Sequence, residues 1–159
     1  MKTIKREMKN AEETKKFAKK IAQKLKNKNA IIILTGELGS GKTKFVEGFL
    51  EQFNLQDEIS SPTFTIINEY DSEKINIYHF DVYRLENTDE FYEIGGEEYF
   101  EKGICLIEWG EFIQDILPKD YLQIIFEKNL SDENKRMITL KAFGESPNYA
   151  KLLKELEEE

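Results

Sequence analysis

A glycine-rich segment of eight residues points most directly to chemistry. It reads Gly36-Glu37-Leu38-Gly39-Ser40-Gly41-Lys42-Thr43 and matches the pattern Gly-x-x-x-x-Gly-Lys-Thr in full. Glycines let the backbone curl so that several amide N–H groups point at phosphate oxygens beside a helix N-terminus. The lysine supplies a positive charge to the outer phosphates, and the threonine hydroxyl can bind Mg²⁺. An ordinary glycine turn is the alternative, but the complete motif favours a phosphate-binding loop (P-loop) with Mg²⁺ at Thr43.

Two carboxylates are candidates for the acidic group that a P-loop needs at the end of a neighbouring strand. Glu108 follows the continuous apolar run 104–107, which is typical of a buried strand beside the loop strand. Asp81 follows residues 75–80, whose alternation indicates a strand with one more polar face. We therefore assign Glu108 to Mg²⁺, and Asp81 to positioning of water or to the surroundings of the metal. The alternative for each carboxylate is that it only caps a loop. This alternative is stronger for Asp81 than for Glu108.

Four other side chains are candidates for a functional role. Thr63 lies in a loop that could fold over the terminal phosphate, although its own context favours a strand cap. Trp109 could stack near a nucleotide or a partner, but a core tryptophan is commoner. His79 has no second ligand at metal spacing and is interpreted as a packed or hydrogen-bonded side chain. Cys105 sits inside an apolar strand and is interpreted as core, not as a nucleophile.

The nucleotide is expected to be ATP. Guanine specificity usually comes from an Asn-Lys-x-Asp segment after a late strand, and the sequence has none. The nearest match, Asn27-Lys28-Asn29-Ala30, lacks the aspartate and precedes the P-loop.

The elements that must position these groups follow from hydrophobic periodicity. Helices are predicted at 10–26, from about 41, at 88–94 with Thr88 as cap, and from about 147 to a frayed acidic end. Strands are predicted at 30–35, 64–70, 75–81, 104–107, 121–126 and 137–143, with 64–70 and 75–81 forming a hairpin. The predicted fold is a single-domain (1–159) α/β P-loop NTPase, whose mixed, mainly parallel central sheet is flanked by helices and the β-hairpin.

Composition narrows the class of protein. The 159 residues are 40% hydrophobic and 34% charged, as in a soluble globular domain, and no apolar run is long enough to span a membrane. We expect a cytoplasmic protein without membrane contact, and its one cysteine excludes an internal disulfide. The net charge of -8 disfavours autonomous nucleic-acid binding. The lysines between 15 and 28 are interpreted as the solvated face of the first helix.

Four segments together resemble the bacterial TsaE family, formerly called the YjeE family. They are the P-loop, Ser61-Pro62-Thr63-Phe64-Thr65, Tyr78-His79-Phe80-Asp81-Val82-Tyr83-Arg84-Leu85 and Leu106-Ile107-Glu108-Trp109. Their order and spacing match as well, and the resemblance covers nearly the whole chain.

The resemblance implies an ATPase of the machinery that forms threonylcarbamoyladenosine in tRNA. TsaD joins the threonylcarbamoyl group to the tRNA, and TsaE-like proteins act with TsaB and TsaD, where ATP hydrolysis resets the complex. The protein would then meet tRNA only through that complex. The resemblance also implies that Thr43 and Glu108 bind Mg²⁺, that Asp81 lies near the reacting phosphate, that Thr14 approaches the adenine and that Arg136 lies at the nucleotide edge.

Two other functions are compatible with the sequence. A small-molecule or nucleotide kinase also uses a P-loop, but such kinases usually carry an arginine-rich lid, and this chain has only Arg6, Arg84 and Arg136. A nucleotide-dependent adaptor is the non-enzymatic rival. No arginine lies in the P-loop or beside Thr63, so hydrolysis is expected to be slow in isolation and to accelerate with partners.

Overall fold

The computed structural model describes residues 2–37, 39–55, 67–73, 75–83 and 85–159. Leu38, Thr63 and Arg84 lie outside the described residues, as do residues 64–66 of the first hairpin strand predicted at 64–70. The strands are β1 (Lys2–Met8), β2 (Ala30–Thr35), β3 (Ile67–Asp71), β4 (Asn76–Asp81), β5 (Ile104–Glu108), β6 (Tyr121–Lys128) and β7 (Arg136–Phe143). The α-helices are α1 (Ala11–Leu25), α2 (Lys42–Glu51), α3 (Thr88–Glu93) and α4 (Pro147–Glu157), and two 3-10 helices span Gly96–Glu101 and Gly110–Ile113.

One seven-stranded sheet organises the molecule, in the order β1-β7-β6-β2-β5-β4-β3. The four central strands β6, β2, β5 and β4 are parallel, and the edge strands pair antiparallel on both sides. The predicted fold class is confirmed, including the hairpin of β3 and β4 at one edge. Because β2 and β5 lie in the middle of a parallel sheet, both of their faces are covered, which explains their continuous apolar sequences.

The side chains of β2 alternate between two cores. Ile32 and Leu34 belong to the core that α1, α2 and α4 cover, whereas Ile31 and Ile33 belong to the core on the opposite face. Helices α1 and α2 pack closely where Gly48 meets the backbone of Lys15, and a β-carbon at Gly48 would clash there. This packing fixes α2, and with it the loop that precedes α2.

The first and third helices begin at asparagine caps. The Asn10 side chain accepts a hydrogen bond from the Glu13 N–H at 2.9 Å, and that of Asn87 accepts one from the Glu90 N–H at 3.1 Å. The prediction of Thr88 as cap is therefore wrong by one residue: Asn87 has the extended backbone of a cap, and Thr88 is the first helical residue. Gly95, at φ 72°, ends α3 as predicted.

The edge strand β1 was not predicted. It pairs antiparallel with β7 from Lys2 to Met8 and buries Ile4 and Met8, while charged residues occupy most positions between them. A strand with so few apolar residues gives little periodic signal, and its pairing with β7 near the other end of the chain decides its structure.

The acidic C-terminus is anchored, so the prediction of a frayed end is wrong. Glu157 pairs with Lys2 at 3.0 Å, and Glu159 pairs with Lys20 at 2.7 Å and with Lys24 at 3.3 Å. Each exposed pair contributes little alone, but together they hold α4 against α1 and β1. Part of the lysine-rich face of α1 is thus ion-paired and not only solvated. None of the described helices combines the length and apolar character of a membrane span.

Candidate functional site

The P-loop joins the C-terminal end of β2 to the N-terminus of α2. Gly39 and Gly41 have φ values of 80° and 112°, in the left-handed region that glycine adopts without strain. Gly41 is the N-cap of α2 and has no side chain with which to cap the helix. The first amide N–H groups of α2 are therefore available to an anion, and the helix dipole favours negative charge there.

A cavity of about 460 Å³ opens at this helix end. Eight of the predicted site residues line it: Thr14, Gly39, Gly41, Lys42, Thr43, Asp81, Glu108 and Arg136. Of the remaining predicted residues, Glu37 and Ser40 belong to the loop but not to the cavity wall, and Leu38 and Thr63 lie outside the described residues. The fold thus gathers side chains from α1, α2, β4, β5 and β7 at one end of the parallel strands, where α/β sheets bind ligands.

Lys42 points into the centre of this group of residues. The residue is only 7% exposed, and its ammonium Nζ lies 3.8 Å from Glu108 Oε1. The same nitrogen lies 4.3 Å from the centroid of the Trp109 ring, within the range of a cation–π contact. Lys42 therefore carries its charge at the junction of the carboxylate, the tryptophan and the P-loop.

Glu108 and Asp81 stand side by side, because they are paired residues in the parallel register of β5 and β4. Their strands end at the same edge of the sheet, so both carboxylates line the cavity. Asp81 Oδ1 accepts a hydrogen bond from the Tyr83 N–H at 3.1 Å. The two carboxylates and Thr43 line the same cavity, and their side-chain oxygens are donors of the kind that Mg²⁺ prefers.

His79 holds Glu108 from below the cavity. Its Nε2 lies 2.7 Å from Glu108 Oε2, and the residue is 5% exposed. Burial raises the pKa of Glu108, but the hydrogen bond from His79 and the charges of His79 and Lys42 outweigh burial and lower the pKa. Because the resulting carboxylate can only accept, Nε2 of His79 is the donor.

Arg136 braces the P-loop from β7. Its Nη2 donates to the Gly39 carbonyl at 3.0 Å, and its Cγ lies 3.8 Å from where a β-carbon on Gly41 would be. Thr14 is buried in the first turn of α1. Its hydroxyl donates to the Asn10 carbonyl at 3.5 Å. Both Arg136 and Thr14 line the cavity.

Comparisons with known proteins agree on one family. The family model described as threonylcarbamoyl adenosine biosynthesis protein TsaE matches residues 8–138. The chain belongs to the TsaE family. The Bacillus subtilis tRNA threonylcarbamoyladenosine biosynthesis protein TsaE is 43% identical over 157 residues, covering 98% of this chain and 95% of that protein. The protein of the same name from Rickettsia felis is 42% identical over 132 residues, covering 82% and 75%. Among solved structures, Bacillus subtilis YdiB superposes with a TM-score of 0.76 at 36% identity, covering 99% of this chain and 95% of YdiB.

Sequence reasoning missed two contacts in this TsaE-family site. Lys128, at the end of β6, places its Nζ 3.5 Å from where a β-carbon on Gly39 would be. The sequence favours a core position for Trp109, yet the residue lines the cavity and has a left-handed backbone at φ 64°. The pairing of Lys128 with Arg136 across the β6–β7 hairpin creates the first contact. Only the position of Trp109 directly after Glu108 could have indicated the second.

Proposed function

We propose that this TsaE-family protein binds Mg-ATP in the cavity and hydrolyses it. In this role it is the ATPase component of the machinery that forms threonylcarbamoyladenosine in tRNA. One observation carries the proposal: Lys42, Thr43, Asp81 and Glu108 line one cavity at the uncapped N-terminus of α2. The relatives from Bacillus subtilis and Rickettsia felis are named tRNA threonylcarbamoyladenosine biosynthesis proteins, which supports the assignment to that pathway.

The phosphates belong at the P-loop end of the cavity. We assign their oxygens to the amides of residues 41–43, because the Ser40 N–H already donates to the Glu37 carbonyl at 3.0 Å. Lys42 neutralises charge on the outer phosphates. Thr43 and Glu108 would hold Mg²⁺, which when bound supplies positive charge to the phosphate oxygens. Asp81, adjacent to Glu108, is placed to orient the attacking water. The described residues contain no group of three histidine, cysteine or carboxylate side chains that could hold a metal. Mg²⁺, which commonly keeps water and phosphate oxygens as ligands, needs no such group.

We assign the base to the part of the cavity that α1 and β7 line. Thr14, Arg136 and the apolar Ala11 all belong to the cavity wall. We place the adenine between the N-terminus of α1 and the beginning of β7. Arg136 serves there mainly through the Gly39 carbonyl, which it holds in place.

The contacts of the described arginines support a requirement for partners. Arg6 donates to the Leu156 carbonyl at 2.8 Å, and Arg136 donates to Gly39 and to the Lys135 carbonyl. Both are engaged in structural bonds, so neither is poised to stabilise charge developing on the transferred phosphate. We infer that hydrolysis by the protein alone is slow and that TsaB and TsaD accelerate it. With a net charge of -8, the protein would meet tRNA only through that complex.

Steady-state phosphate release tests the proposal. The protein is assayed alone, with TsaB and TsaD, and in both conditions as Lys42→Ala. We expect a low rate alone, a rate at least ten-fold higher with the partners, and no ATP-dependent release by the variant. Equal rates with and without partners would contradict partner stimulation. They would favour instead a kinase whose acceptor substrate is absent from the assay. Release that persists in Lys42→Ala would remove the P-loop assignment.

A further inference from the structure

Three aromatic side chains form an exposed cluster at the rim of the cavity. Tyr83 is 60% exposed and Phe112 is 52% exposed, and Trp109 lies half-buried between the cavity and these two rings. Ring centroids are 5.2 Å apart for Tyr83 and Trp109, 5.7 Å for Trp109 and Phe112, and 6.0 Å for Tyr83 and Phe112. We call these three residues the aromatic cluster. Contiguous exposed aromatic surface of this kind marks an interaction site more often than a chance feature.

The backbone holds the cluster in place. Trp109 adopts φ 64°, which is uncommon and unfavourable for a bulky residue. Its N–H donates to the Leu34 carbonyl at 3.3 Å, and it precedes the 3-10 helix Gly110–Ile113, which carries Phe112. The Tyr83 N–H donates to Asp81. The rings are thus presented on a rigid support and not on a free loop.

The cluster lies in a strongly acidic part of the chain. Residues 81–115 contain 11 Asp and Glu against two basic residues, Arg84 and Lys102, a net charge of -9. Subtracting these from the chain totals of 31 acidic and 23 basic residues leaves 20 and 21, a net charge of +1 for the rest of the chain. The negative charge of the whole protein is therefore concentrated in the segment that carries the aromatic rings.

We propose that the aromatic cluster is a docking surface for a basic face of a partner protein, and that an arginine of the partner stacks on its rings. Guanidinium groups bind aromatic faces well, and surrounding carboxylates strengthen their attraction. A nucleic acid could also stack bases on the rings, but its phosphates would be repelled by a segment of net charge -9. The charge therefore favours a basic protein over tRNA as the occupant.

This inference rests on the proposed function and adds the site at which the partner acts. Trp109 belongs to the cluster and also contacts the Lys42 ammonium, while Tyr83 is bonded through its backbone to Asp81. A partner seated on the cluster therefore touches residues that contact both the P-loop lysine and the carboxylate assigned to water. The contact that binds the partner is therefore also the contact through which the partner accelerates hydrolysis.

The test measures binding of the TsaB–TsaD pair and its stimulation of phosphate release. Tyr83→Ser/Phe112→Ser removes the two exposed rings and leaves Trp109 and the P-loop intact. Tyr92→Ser is the matched control, because Tyr92 is a 50% exposed tyrosine of the same acidic segment outside the cluster. We expect at least about ten-fold weaker binding and a similar loss of stimulation in the double variant. The control, and the unstimulated rates of all variants, should match the wild type.

A second pair of variants tests the charge. Glu86→Lys/Asp115→Lys reverses two exposed carboxylates, each three residues from a ring of the cluster and so within about 11 Å along the chain. Glu145→Lys/Glu158→Lys makes the same change in net charge at exposed sites outside the acidic segment. We expect the first pair to slow association with TsaB–TsaD at low salt several-fold more than the second.

The outcomes separate the docking surface from the proposed function. If the wild type binds and is stimulated but the double variant behaves identically, the docking proposal is wrong and the proposed function stands. Binding of tRNA without TsaB–TsaD is measured in parallel. If the wild type binds tRNA directly and the double variant loses that binding while keeping TsaB–TsaD, the rings serve nucleic acid and the proposal is again overturned. If the wild type neither binds TsaB–TsaD nor responds to it, both proposals fail.

Discussion

Replacing His79 by phenylalanine is the sharpest test of how the proposed metal site is held. Phenylalanine occupies similar space in the buried position but cannot donate the 2.7 Å hydrogen bond to Glu108. Without that donor, burial raises the pKa of Glu108 against the charge of Lys42 alone. The Glu108 side chain is then free to rotate. Of its two partners, His79 and Lys42, only Lys42 remains, with its Nζ 3.8 Å from Glu108 Oε1. We expect both changes to weaken binding of Mg²⁺ with the nucleotide.

The size of the effect follows from the bond that is lost. A hydrogen bond to a charged group contributes about 1.5–3 kcal/mol. Because about 1.4 kcal/mol corresponds to ten-fold in affinity, the loss corresponds to roughly 10- to 150-fold. Removal of partners that orient metal ligands typically lowers metal affinity by about 10- to 100-fold, in the same range.

Intrinsic fluorescence provides the assay. Trp109 is the only tryptophan of the chain, and its ring lies 4.3 Å from the Lys42 ammonium, so phosphate binding by Lys42 changes its surroundings. ATP is titrated with Mg²⁺ and with EDTA, for the wild type, His79→Phe and His79→Gln. Mg²⁺ should increase the affinity for ATP at least ten-fold less in His79→Phe than in the wild type. In EDTA the two proteins should bind ATP with similar affinity. His79→Gln, which retains an N–H near the position of Nε2, should recover part of the gain.

An unchanged Mg²⁺ dependence in His79→Phe would refute this reasoning, since Glu108 would then be oriented without His79. Thermal unfolding of both variants identifies a general loss of structure. A variant that unfolds early but keeps its Mg²⁺ dependence would show that His79 has only a structural role.

Three other predictions concern single residues. Lys42→Ala should bind ATP weakly and release no phosphate, which equilibrium binding and turnover assays measure together. Glu108→Gln should fold normally but lose the Mg²⁺-dependent part of ATP binding, whereas Asp81→Asn should mainly slow turnover; the reverse pattern would exchange their roles. Burial raises the pKa of Tyr149 to about 12 against the hydrogen bond from the Ile31 N–H. An unfolded tyrosine titrates near 10, so the wild type should lose stability as pH rises from about 10 to about 12. Urea unfolding at pH 8 and pH 11 should show a smaller loss in Tyr149→Phe, although that variant starts about 1 kcal/mol lower.

Local patterns in the sequence were sufficient for the centre of the fold. Continuous β-branched runs predicted β2 and β5, glycine spacing predicted the loop between β2 and α2, and the ends of the strands predicted Asp81 and Glu108 at one edge. These signals are local because a buried parallel strand and a P-loop each impose their own residue types. The fold class followed from their order along the chain.

Contacts between distant residues could not be predicted in the same way. His79 and Glu108 are 29 positions apart and meet only because β4 and β5 pair in one particular register, since a shift of one residue would send His79 to the other face of the sheet. Arg6 reaches Leu156 across 150 positions, and this contact belongs to the same assembly of β1, α1 and α4 that anchors the acidic tail.

The sequence by itself thus determined which residues are candidates for binding phosphate and metal, because that chemistry depends on residue type and short spacing. The tertiary structure alone decided how they are held: His79 under Glu108, Arg136 on Gly39, and Trp109 between Lys42 and the surface. These arrangements depend on strand register and on helix packing, which are set by the whole core and leave no local signature in the sequence.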